Sequence, residues 1–504
     1  MHYSDLVRGM STSRPTADAV VGSGRRLSFA DVDERANRLC DALRTRGVRP
    51  GDRVALLAGN EPEYVEIQAA CLRAGFALVP LNIRLTQPEL LFILSDCTPS
   101  VIIGGRGLEE RSAVLAGLAG IAHHFALGSS PAEMNYEDAL AHASSTRGEE
   151  PDDAELIATI LYTSGTTGQP KGALVTRRAF TARVLVNAAE LQTTTADTHL
   201  ACLPLFHIAA FLTYAHIAVG ATVVMLPEFD PLAFVDVVRA EQVTTTVLVP
   251  TMIGMIVDEP ALAQTDLTGM RLIIYGGAPI HADLLRRSLA RFQCGFHQQY
   301  GMTETGAQTI LRPADHDPDD LEKLSSGGTE AISFEVRVVD ADDTPVPDGS
   351  PGEVVCQSPT VMSGYWNRPE ATAETLRGGW MHTGDVGFRD SRGYLHITDR
   401  RNDMIISGGE NVYPREVESV LLEHPHVRDV AVVGTSDPTW GEVVTAVVLA
   451  PAPPTEELAT FLRERLAGYK VPRRWVVEDE LPRNATGKLL KHVIRAGLEA
   501  SDAD

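Results

Sequence analysis

The amino-acid sequence predicts a multidomain α/β protein. A large N-terminal domain with two mainly parallel, helix-flanked sheets and a small β subdomain should precede a small α+β C-terminal domain. The length of 504 residues exceeds what one hydrophobic core usually serves. Short apolar runs alternate with amphipathic helical stretches over the first three-quarters of the chain. Near residue 335 the pattern changes to short strands divided by Gly, Pro and Asp turns.

The N-terminal part follows a strand–helix–strand order. The runs "DRVALLAG" and "FALVPLN" predict buried strands, and "EPEYVEIQAACLRAG" between them has helical spacing. Further strands are predicted at "PSVIIGG", "HLACLPL", "ATVVMLP", "TTTVLVP" and "RLIIYGG". Strands separated by helices of this length favour parallel pairing, with helices covering the faces of the sheet. The hydrophilic stretch 144–155 predicts a surface connection between two such units.

The last third of the chain predicts two smaller units. The strands of the β subdomain are expected at "FEVRVVD", "GEVVCQ" and "GYLHITD". After them, "YPREVESVLLEHP", "VRDVAVVG", "EVVTAVVLA" and "TEELATFLRERL" predict a compact α+β domain of about a hundred residues. We place the boundary at Asp399, which gives domains of residues 1–398 and 399–504.

Charge and cysteine content exclude several classes of protein. The chain has 44 Lys and Arg against 67 Asp and Glu, and the net charge of −23 disfavours nucleic acids and anionic membranes. No apolar run reaches membrane-spanning length and no signal peptide is evident, so we expect a soluble cytoplasmic protein. Six cysteines without CxxC spacing predict core residues in a reducing compartment: Cys40, Cys71, Cys97, Cys202, Cys294 and Cys356.

The segment "YTSGTTGQPKG" (162–172) is a candidate anion-binding loop after an apolar run. It is not a P-loop, because Gly168 precedes Gln169 and Lys171 precedes Gly172. A flexible linker is the alternative, although linkers seldom emerge from a strand and end in Pro-Lys-Gly. The backbone N–H groups and hydroxyls that can surround phosphate oxygens belong to Thr163, Ser164, Gly165, Thr166, Thr167 and Gly168.

Two further segments are candidates, and the first of them ends the predicted strand "RLIIY". "GGAPI" (276–280) allows close approach of a ligand to the backbone, or is a simple strand-to-helix turn. In "QQYGMTET" (298–305), Tyr300 can offer a ring face to a base, and Thr303 a hydroxyl. Glu304 can supply a carboxylate to Mg²⁺. The alternative for this segment is a turn with a capping Thr.

Three polar residues of the last third are also candidates. Asp385, in a Gly-flanked turn, can accept hydrogen bonds from two ribose hydroxyls or form an Asx-turn. Arg400 beside Asp399 is a ligand contact or a surface ion pair. Lys488 follows a glycine in "PRNATGKLLK" before the last helix, where an isolated lysine is usually solvated.

Together these six segments resemble, in order and spacing from about residue 20 to residue 495, the signature motifs of the adenylate-forming superfamily. That superfamily contains acyl-CoA synthetases, carrier-protein adenylation domains and beetle luciferases. The resemblance implies attack of a carboxylate on the α-phosphorus of ATP, which gives acyl-AMP and pyrophosphate. A thiol then attacks the mixed anhydride.

The resemblance also implies roles for individual residues. The phosphates are expected at the 163–171 loop, adenine at Tyr300, and the ribose at Asp385 and Arg400. Thr163 and Glu304 would bind Mg²⁺. The residues implied in catalysis are Lys488, Lys171, Glu304, Thr303 and His207. The residues implied in ATP binding are Thr163, Ser164, Gly165, Thr166, Thr167, Gly168, Lys171, Gly277, Ala278, Pro279, Tyr300, Gly301, Met302, Thr303, Asp385, Arg400 and Lys488.

The family further implies an acyl pocket, a CoA tunnel and a mobile C-terminal domain that turns about a hinge at Asp399. Lys488 would be withdrawn after adenylation. The acyl pocket is expected at His207, Phe211, Gln299 and Gly301. The tunnel is expected at Gly408, Gly409 and Glu410.

Two positions depart from the family pattern. Asn402 stands where a lysine is common, which puts residue-level claims about thioester formation in doubt. Gln299 replaces a glycine found in many fatty-acyl and aryl ligases, so we expect a shortened pocket with an added hydrogen-bonding group.

The resulting prediction is an AMP-forming acid:CoA ligase that uses ATP, CoA, Mg²⁺ and a small carboxylic acid. It would have no nucleic-acid partner and no integral membrane contact, and a homodimer is compatible with the resemblance. One alternative is an acyl-AMP ligase that loads a carrier protein. Another is a non-catalytic nucleotide-binding relative, against which intact Lys171, Glu304, Asp385, Arg400 and Lys488 argue.

Overall fold

The structure is a computed structural model. It describes residues 6–128, 134–163, 170–263, 265–278, 280, 282–400, 403, 405–407, 410–437, 440–451, 454–466, 468–483 and 489–501.

The strands, in chain order, are β1 (Asp18–Gly22), β2 (Arg25–Ser28), β3 (Arg53–Leu57), β4 (Ala77–Pro80), β5 (Val101–Gly104), β6 (His123–Ala126), β7 (Ile157–Thr163), β8 (Lys171–Thr176), β9 (Thr198–Ala201), β10 (Thr222–Met225), β11 (Thr245–Leu248), β12 (Leu272–Gly276), β13 (Gly295–Met302), β14 (Gly306–Leu311), β15 (Thr329–Glu330), β16 (Glu335–Val339), β17 (Gly352–Gln357), β18 (Gly364–Tyr365), β19 (Met381–Arg389), β20 (Leu395–Arg400), β21 (Ile405–Ser407), β22 (Glu410–Val412), β23 (Val430–Asp437), β24 (Gly441–Leu449) and β25 (Arg474–Glu478).

The α-helices are α1 (Arg8–Ser13), α2 (Phe29–Arg44), α3 (Glu63–Ala74), α4 (Gln87–Cys97), α5 (Glu109–Ala119), α6 (Tyr136–Ala141), α7 (Arg177–Glu190), α8 (Ala209–Val219), α9 (Pro231–Ala240), α10 (Pro250–Asp258), α11 (Ala282–Phe292), α12 (Leu321–Leu324), α13 (Pro369–Thr375), α14 (Pro414–Leu422), α15 (Thr455–Arg463) and α16 (Lys491–Ser501).

Two large sheets form the N-terminal part. One has seven strands in the order β18-β8-β7-β4-β3-β5-β6, and the other has nine in the order β15-β14-β13-β12-β11-β9-β10-β1-β2. The inner pairs of both sheets are parallel, and the antiparallel pairs that the structure describes lie at the edges. The predicted pair of mainly parallel, helix-flanked sheets is therefore confirmed.

Helix α3 shows how the two sheets share a core. All twelve of its residues are buried, and one hydrophobic cluster contains side chains of α3, of β3 and of β10. The glutamates of α3 are buried as ion pairs: Arg106 Nη2 lies 2.6 Å from Glu63 Oε1, and Arg35 Nε lies 2.6 Å from Glu66 Oε2. These pairs allow charged residues to occupy a helix that is enclosed on every side.

Two smaller sheets follow. The four-stranded sheet β16-β17-β19-β20 is the predicted β subdomain. In the C-terminal sheet, β22-β21-β24-β23, the strand β25 pairs in parallel with β24. Helices α14 and α15 pack on one face of this sheet and α16 on the other. Arg415 Nη1 donates to the carbonyl oxygen of Ile397 at 3.1 Å, which connects the first turn of α14 to β20.

None of the six cysteines is in a disulfide, and five are buried, as their spacing predicts. No α-helix in the part of the chain that the structure describes has the length and apolar character needed to cross a membrane.

Candidate active site

The candidate anion loop connects two antiparallel strands. Thr163 is the last residue of β7, and Lys171 opens β8 directly opposite it in the ladder. The Thr163 hydroxyl donates to the Lys171 carbonyl oxygen at 3.4 Å. The loop between them, with Ser164, Gly165, Thr166, Thr167 and Gly168, lies outside the described residues, so its contacts stay a prediction.

Tyr365 connects the lysine of this loop to the predicted magnesium ligand. The Lys171 ammonium lies 5.4 Å from the centre of the Tyr365 ring. The Tyr365 hydroxyl donates to Glu304 Oε1 at 2.9 Å, and Glu304 is only 5% exposed. Burial, with the Glu304 carboxylate beside it, raises the pKa of the Tyr365 hydroxyl, which therefore remains a donor at neutral pH. Lys171 and Glu304, which are far apart in sequence, therefore both contact the Tyr365 side chain.

The buried Arg183 fixes the turn that carries Thr303 and Glu304. Its guanidinium donates to the carbonyl oxygens of Thr303 at 2.9 Å, Glu304 at 3.0 Å and Thr360 at 2.8 Å. Burial lowers the pKa of Arg183 to about 9, so the side chain is still a cation at neutral pH. Each of the three guanidinium nitrogens thus has its own acceptor, which suits the planar fork of an arginine side chain.

The predicted adenine and ribose residues also meet. The Tyr300 hydroxyl donates to Asp385 Oδ2 at 2.6 Å, and Asp385 is buried on β19. Its position inside a strand corrects the expectation that Asp385 lies in a turn. The backbone at Gly384 has φ +71°, so the glycine that suggested a turn is a left-handed position within the strand. Arg400 lies opposite Asp385 in the β19–β20 ladder.

The glycines near Tyr300 are required by close backbone approaches. A side chain at Gly276 would collide with the carbonyl oxygen of Gln299, and one at Gly301 with that of Gly306. Gly277 has φ +77°, a left-handed conformation that glycine adopts without strain. Ala278 follows it half-buried, Met302 packs near Tyr300 beside the β subdomain, and Pro279 lies outside the described residues.

The predicted acyl-pocket residues are connected through α7. Arg183 lies 4.9 Å from the centre of the buried Phe211 ring, and Asn187 donates to the Arg183 carbonyl oxygen at 2.8 Å. Gln299 Nε2 donates to Asn187 Oδ1 at 2.9 Å. The polar group expected from Gln299 is therefore present and bonded to another side chain.

His207 lies two positions before the start of α8, the helix that contains Phe211. Burial lowers the pKa of His207 to about 4, and its Nε2 has no hydrogen-bond partner among the described residues. The imidazole is neutral at physiological pH, and that nitrogen remains available to a ligand.

Several predicted residues are not brought into the site by the described structure. Lys488, Gly408 and Gly409 lie outside it, as does the side chain of Glu410. Asp399 belongs to β20, opposite Val386, and only its backbone is described. The assignments of these residues stay predictions.

Three residues with evident roles in the geometry are absent from the sequence prediction: Tyr365, Arg183 and Asn187. Tyr365 lies on β18, whereas Arg183 and Asn187 both lie on α7, and no nearby motif marks any of the three. The one available signal is the pair of polar residues, four positions apart, on the otherwise apolar face of α7.

Comparisons with known proteins show which family this chain resembles along almost its whole length. The family model described as AMP-binding enzyme matches residues 10–366, and that described as AMP-binding enzyme C-terminal domain matches residues 416–488. Feruloyl-CoA synthase from Amycolatopsis sp is 42% identical over 491 residues, covering 95% of this chain and 96% of that protein. Fatty acid–[acyl-carrier-protein] ligase ScoC from Streptomyces coeruleorubidus is 38% identical over 493 residues, covering 95% and 93%.

Among solved structures, ATP-bound MatB from Rhodopseudomonas palustris superposes with a TM-score of 0.90 at 31% identity. The alignment covers 98% of this chain and 99% of that one.

Proposed function

This chain belongs to the AMP-binding enzyme family, the adenylate-forming enzymes, and from that premise we propose how its residues carry out the reaction. The chain is an ATP-dependent, AMP-forming acid:CoA ligase. A carboxylate oxygen of the acid bonds to the α-phosphorus of ATP while the bond to pyrophosphate breaks. The sulfur of CoA then bonds to the acyl carbon, and AMP leaves. Both steps depend on positioning and on spreading negative charge.

The observation that carries the assignment of roles is the contact of Tyr365 with both Lys171 and Glu304. Because of this contact, a cation and a carboxylate lie around one side chain, and Lys171 directly follows the candidate anion loop in sequence. In the proposal, Lys171 and the loop bind the β- and γ-phosphates, and Thr303 binds the α-phosphate. The charge-assisted hydrogen bonds between Lys171 and the phosphates would be strong where water is excluded.

Glu304 and Thr163 supply the hard oxygen atoms that Mg²⁺ prefers, and Tyr365 and Lys171 join the segments that carry them. Glu304 and Thr163 would hold the Mg²⁺ ion that enters with ATP. The ion would neutralise part of the phosphate charge. The buried Glu304 carboxylate is a suitable ligand because Arg183 and the Met362 N–H, 2.7 Å away, fix its backbone carbonyl.

At the other end of ATP, Tyr300 would stack on adenine, and Asp385 with Arg400 would bind the ribose hydroxyls. The Tyr300–Asp385 hydrogen bond supports this because it keeps ring and carboxylate side by side. Neutral His207 would form a hydrogen bond with the acid substrate, as donor or as acceptor, near the carboxylate of that acid. Lys488 would bridge that carboxylate and the α-phosphate during adenylation.

The thiol step is proposed to use the C-terminal domain, residues 399–504, turning at Asp399. Gly408, Gly409 and Glu410 would line the path of the CoA arm. We place the enzyme in the cytoplasm, where ATP, CoA and reduced cysteines coexist. The acid is proposed to be compact, since Gln299 occupies the end of the acyl pocket and is bonded to Asn187.

The test is pyrophosphate release from ATP with a panel of carboxylic acids, each measured with and without CoA. We expect acid-dependent pyrophosphate release without CoA, and AMP plus thioester when CoA is added. Absence of pyrophosphate release with every acid would overturn the proposed function.

A second candidate is loading of a carrier-protein phosphopantetheine, and two observations favour it. The ScoC relative is named as an acyl-carrier-protein ligase, and Asn402 replaces the lysine common in the family. Acyl-AMP that persists with CoA but transfers to a phosphopantetheinylated carrier protein would support this candidate.

A further inference from the structure

The orientation of the Gln299 amide is set by a backbone carbonyl on α7. Asn187 lies 2.8 Å from the carbonyl oxygen of Arg183, which can only accept, so Asn187 must present its NH₂ group there. Its Oδ1 is then the atom that faces Gln299. Because Oδ1 can only accept, Gln299 must present its NH₂ group to Asn187 at 2.9 Å.

The carbonyl end of Gln299 is left as an acceptor. No group among the described residues is hydrogen-bonded to Gln299 Oε1, and the residue is half-buried. It stands on β13 beside α7, which also carries Arg183 against the Phe211 ring. Because Gln299 is a predicted acyl-pocket residue, a substrate bound in that pocket is the group that we expect to reach this acceptor.

An acceptor in a half-buried wall discriminates between ligands. A substrate that brings a hydroxyl or N–H group donates a hydrogen bond to the Gln299 Oε1 atom. A hydrocarbon of the same shape displaces water from that oxygen without forming a hydrogen bond to it, which costs free energy. Sites built to bond a substrate hydroxyl reject the analogue that lacks it more strongly than apolar pockets separate homologues.

We propose that the acyl substrate is a carboxylic acid with a hydrogen-bond donor, such as a hydroxyl, at the end remote from its carboxylate. Gln299 Oε1 accepts that hydrogen bond, and Asn187 is the positioning residue that turns the oxygen toward the substrate. The inference rests on the proposed function, because it names the substrate class of that site.

The test uses matched pairs of acids that differ only in a terminal hydroxyl: 4-hydroxycinnamate and cinnamate, 4-hydroxyphenylacetate and phenylacetate, 6-hydroxyhexanoate and hexanoate. Pyrophosphate release gives kcat/KM for each acid. In the natural enzyme we expect the hydroxylated member of at least one pair to be preferred by about tenfold or more. Gln299→Leu should bring that ratio close to one with the KM for ATP unchanged.

Asn187→Leu should reduce the same ratio, because Gln299 is then free to rotate, and it should leave the KM for ATP unchanged. Gln298→Leu is the matched control, since the adjacent side chain on β13 points to the opposite face of the strand. It should keep the preference of the natural enzyme.

Pyrophosphate release with equal kcat/KM for both members of every pair would overturn the inference and leave the proposed function intact. A preference that survives Gln299→Leu would also overturn it. Absence of release with every acid tested in both experiments would instead overturn the proposed function. The ratio in the natural enzyme decides the question even if a variant folds poorly.

Discussion

At the scale of single residues, Tyr365 joins the phosphate and metal ends of the site through two different parts of its side chain. The ring faces the Lys171 ammonium, and the hydroxyl holds Glu304 Oε1. Tyr365→Phe keeps the ring and removes the hydroxyl. We expect the KM for ATP and the Mg²⁺ concentration for half-maximal rate to rise about tenfold, with the KM for the acid unchanged. Steady-state kinetics at varied ATP and Mg²⁺, with Mg²⁺–ATP binding by calorimetry, measures both effects.

Tyr394→Phe is the control for this substitution. Its hydroxyl likewise donates to a carboxylate oxygen, Asp315 Oδ1, at 2.7 Å, and Asp315 has no proposed role in the reaction. Tyr394→Phe should leave both constants unchanged. Similar changes in the two variants, or a change confined to the KM for the acid, would contradict the role given to Tyr365.

The sequence could name candidate ligand-binding residues but not the residues that position them. Lys171, Glu304, Tyr300 and Asp385 were recognisable because each stands in one of the six motifs. Tyr365 reaches Glu304 across 61 positions of sequence. Such a contact is created by the folding of separate elements, and one sequence without its fold contains no local trace of it.

At the scale of elements, α7 contacts both the turn that carries Thr303 and Glu304 and the proposed acyl-pocket residue Gln299. The turn after β13 is held by Arg183, which donates to three carbonyl oxygens. Arg183→Lys keeps the charge, but one ammonium group cannot reproduce the planar fork. We expect a lower Tm and a fall in kcat of about tenfold, because unsatisfied buried carbonyls loosen the turn that carries Thr303 and Glu304. Thermal unfolding and pyrophosphate release measure the two effects.

The matched control lies on the same helix. Arg178 is 57% exposed and pairs with Glu155, which is 56% exposed, so that ion pair contributes little. Arg178→Lys should change neither Tm nor kcat. If Arg183→Lys behaves like Arg178→Lys, the turn does not depend on the guanidinium.

The type of most elements followed from the hydrophobic pattern, and the departures have physical causes. The predicted strands "DRVALLAG" and "RLIIYGG" became β3 and β12 because continuous apolar runs suit strands covered on both faces. Asp385 was expected in a turn because glycine suggests one. Instead, β19 passes through Gly384, and pairing with β17 and β20 overrides the local preference.

At the scale of the whole molecule, one chain must run two reactions, and the C-terminal domain is proposed to serve them in turn. In the Lys488→Ala variant the rate of acyl-AMP formation should fall on the order of 10²-fold, because one charge-assisted contact to the transition state is removed. The variant should still convert supplied acyl-AMP and CoA to thioester. The two half-reactions are assayed separately. Equal loss of both would mean that Lys488 serves folding or CoA binding instead.

Five histidines whose pKa is lowered in the folded protein should make the stability of the whole molecule sensitive to acid. Burial lowers the pKa of His207, His216 and His316 to about 4 and of His297 to about 3, and it holds the pKa of His199 well below its ordinary value. These side chains are neutral in the folded protein. In the unfolded chain each binds a proton below about pH 6.5. The free energy of unfolding should therefore fall as pH drops from 6.5 toward 4.

His297 is the best position for a test, because it is fully buried and neither ring nitrogen has a hydrogen-bond partner among the described residues. His297→Leu removes one proton-binding site of the unfolded chain and puts an apolar side chain in the same buried position. Between pH 7.5 and pH 5 the variant should lose about 2 kcal/mol less stability than the natural protein. Urea unfolding at the two pH values measures this difference, and carboxylate titration, common to both proteins, cancels from it. Equal losses would mean that His297 binds its proton with the same pKa in the folded and the unfolded chain, so that burial does not lower this pKa.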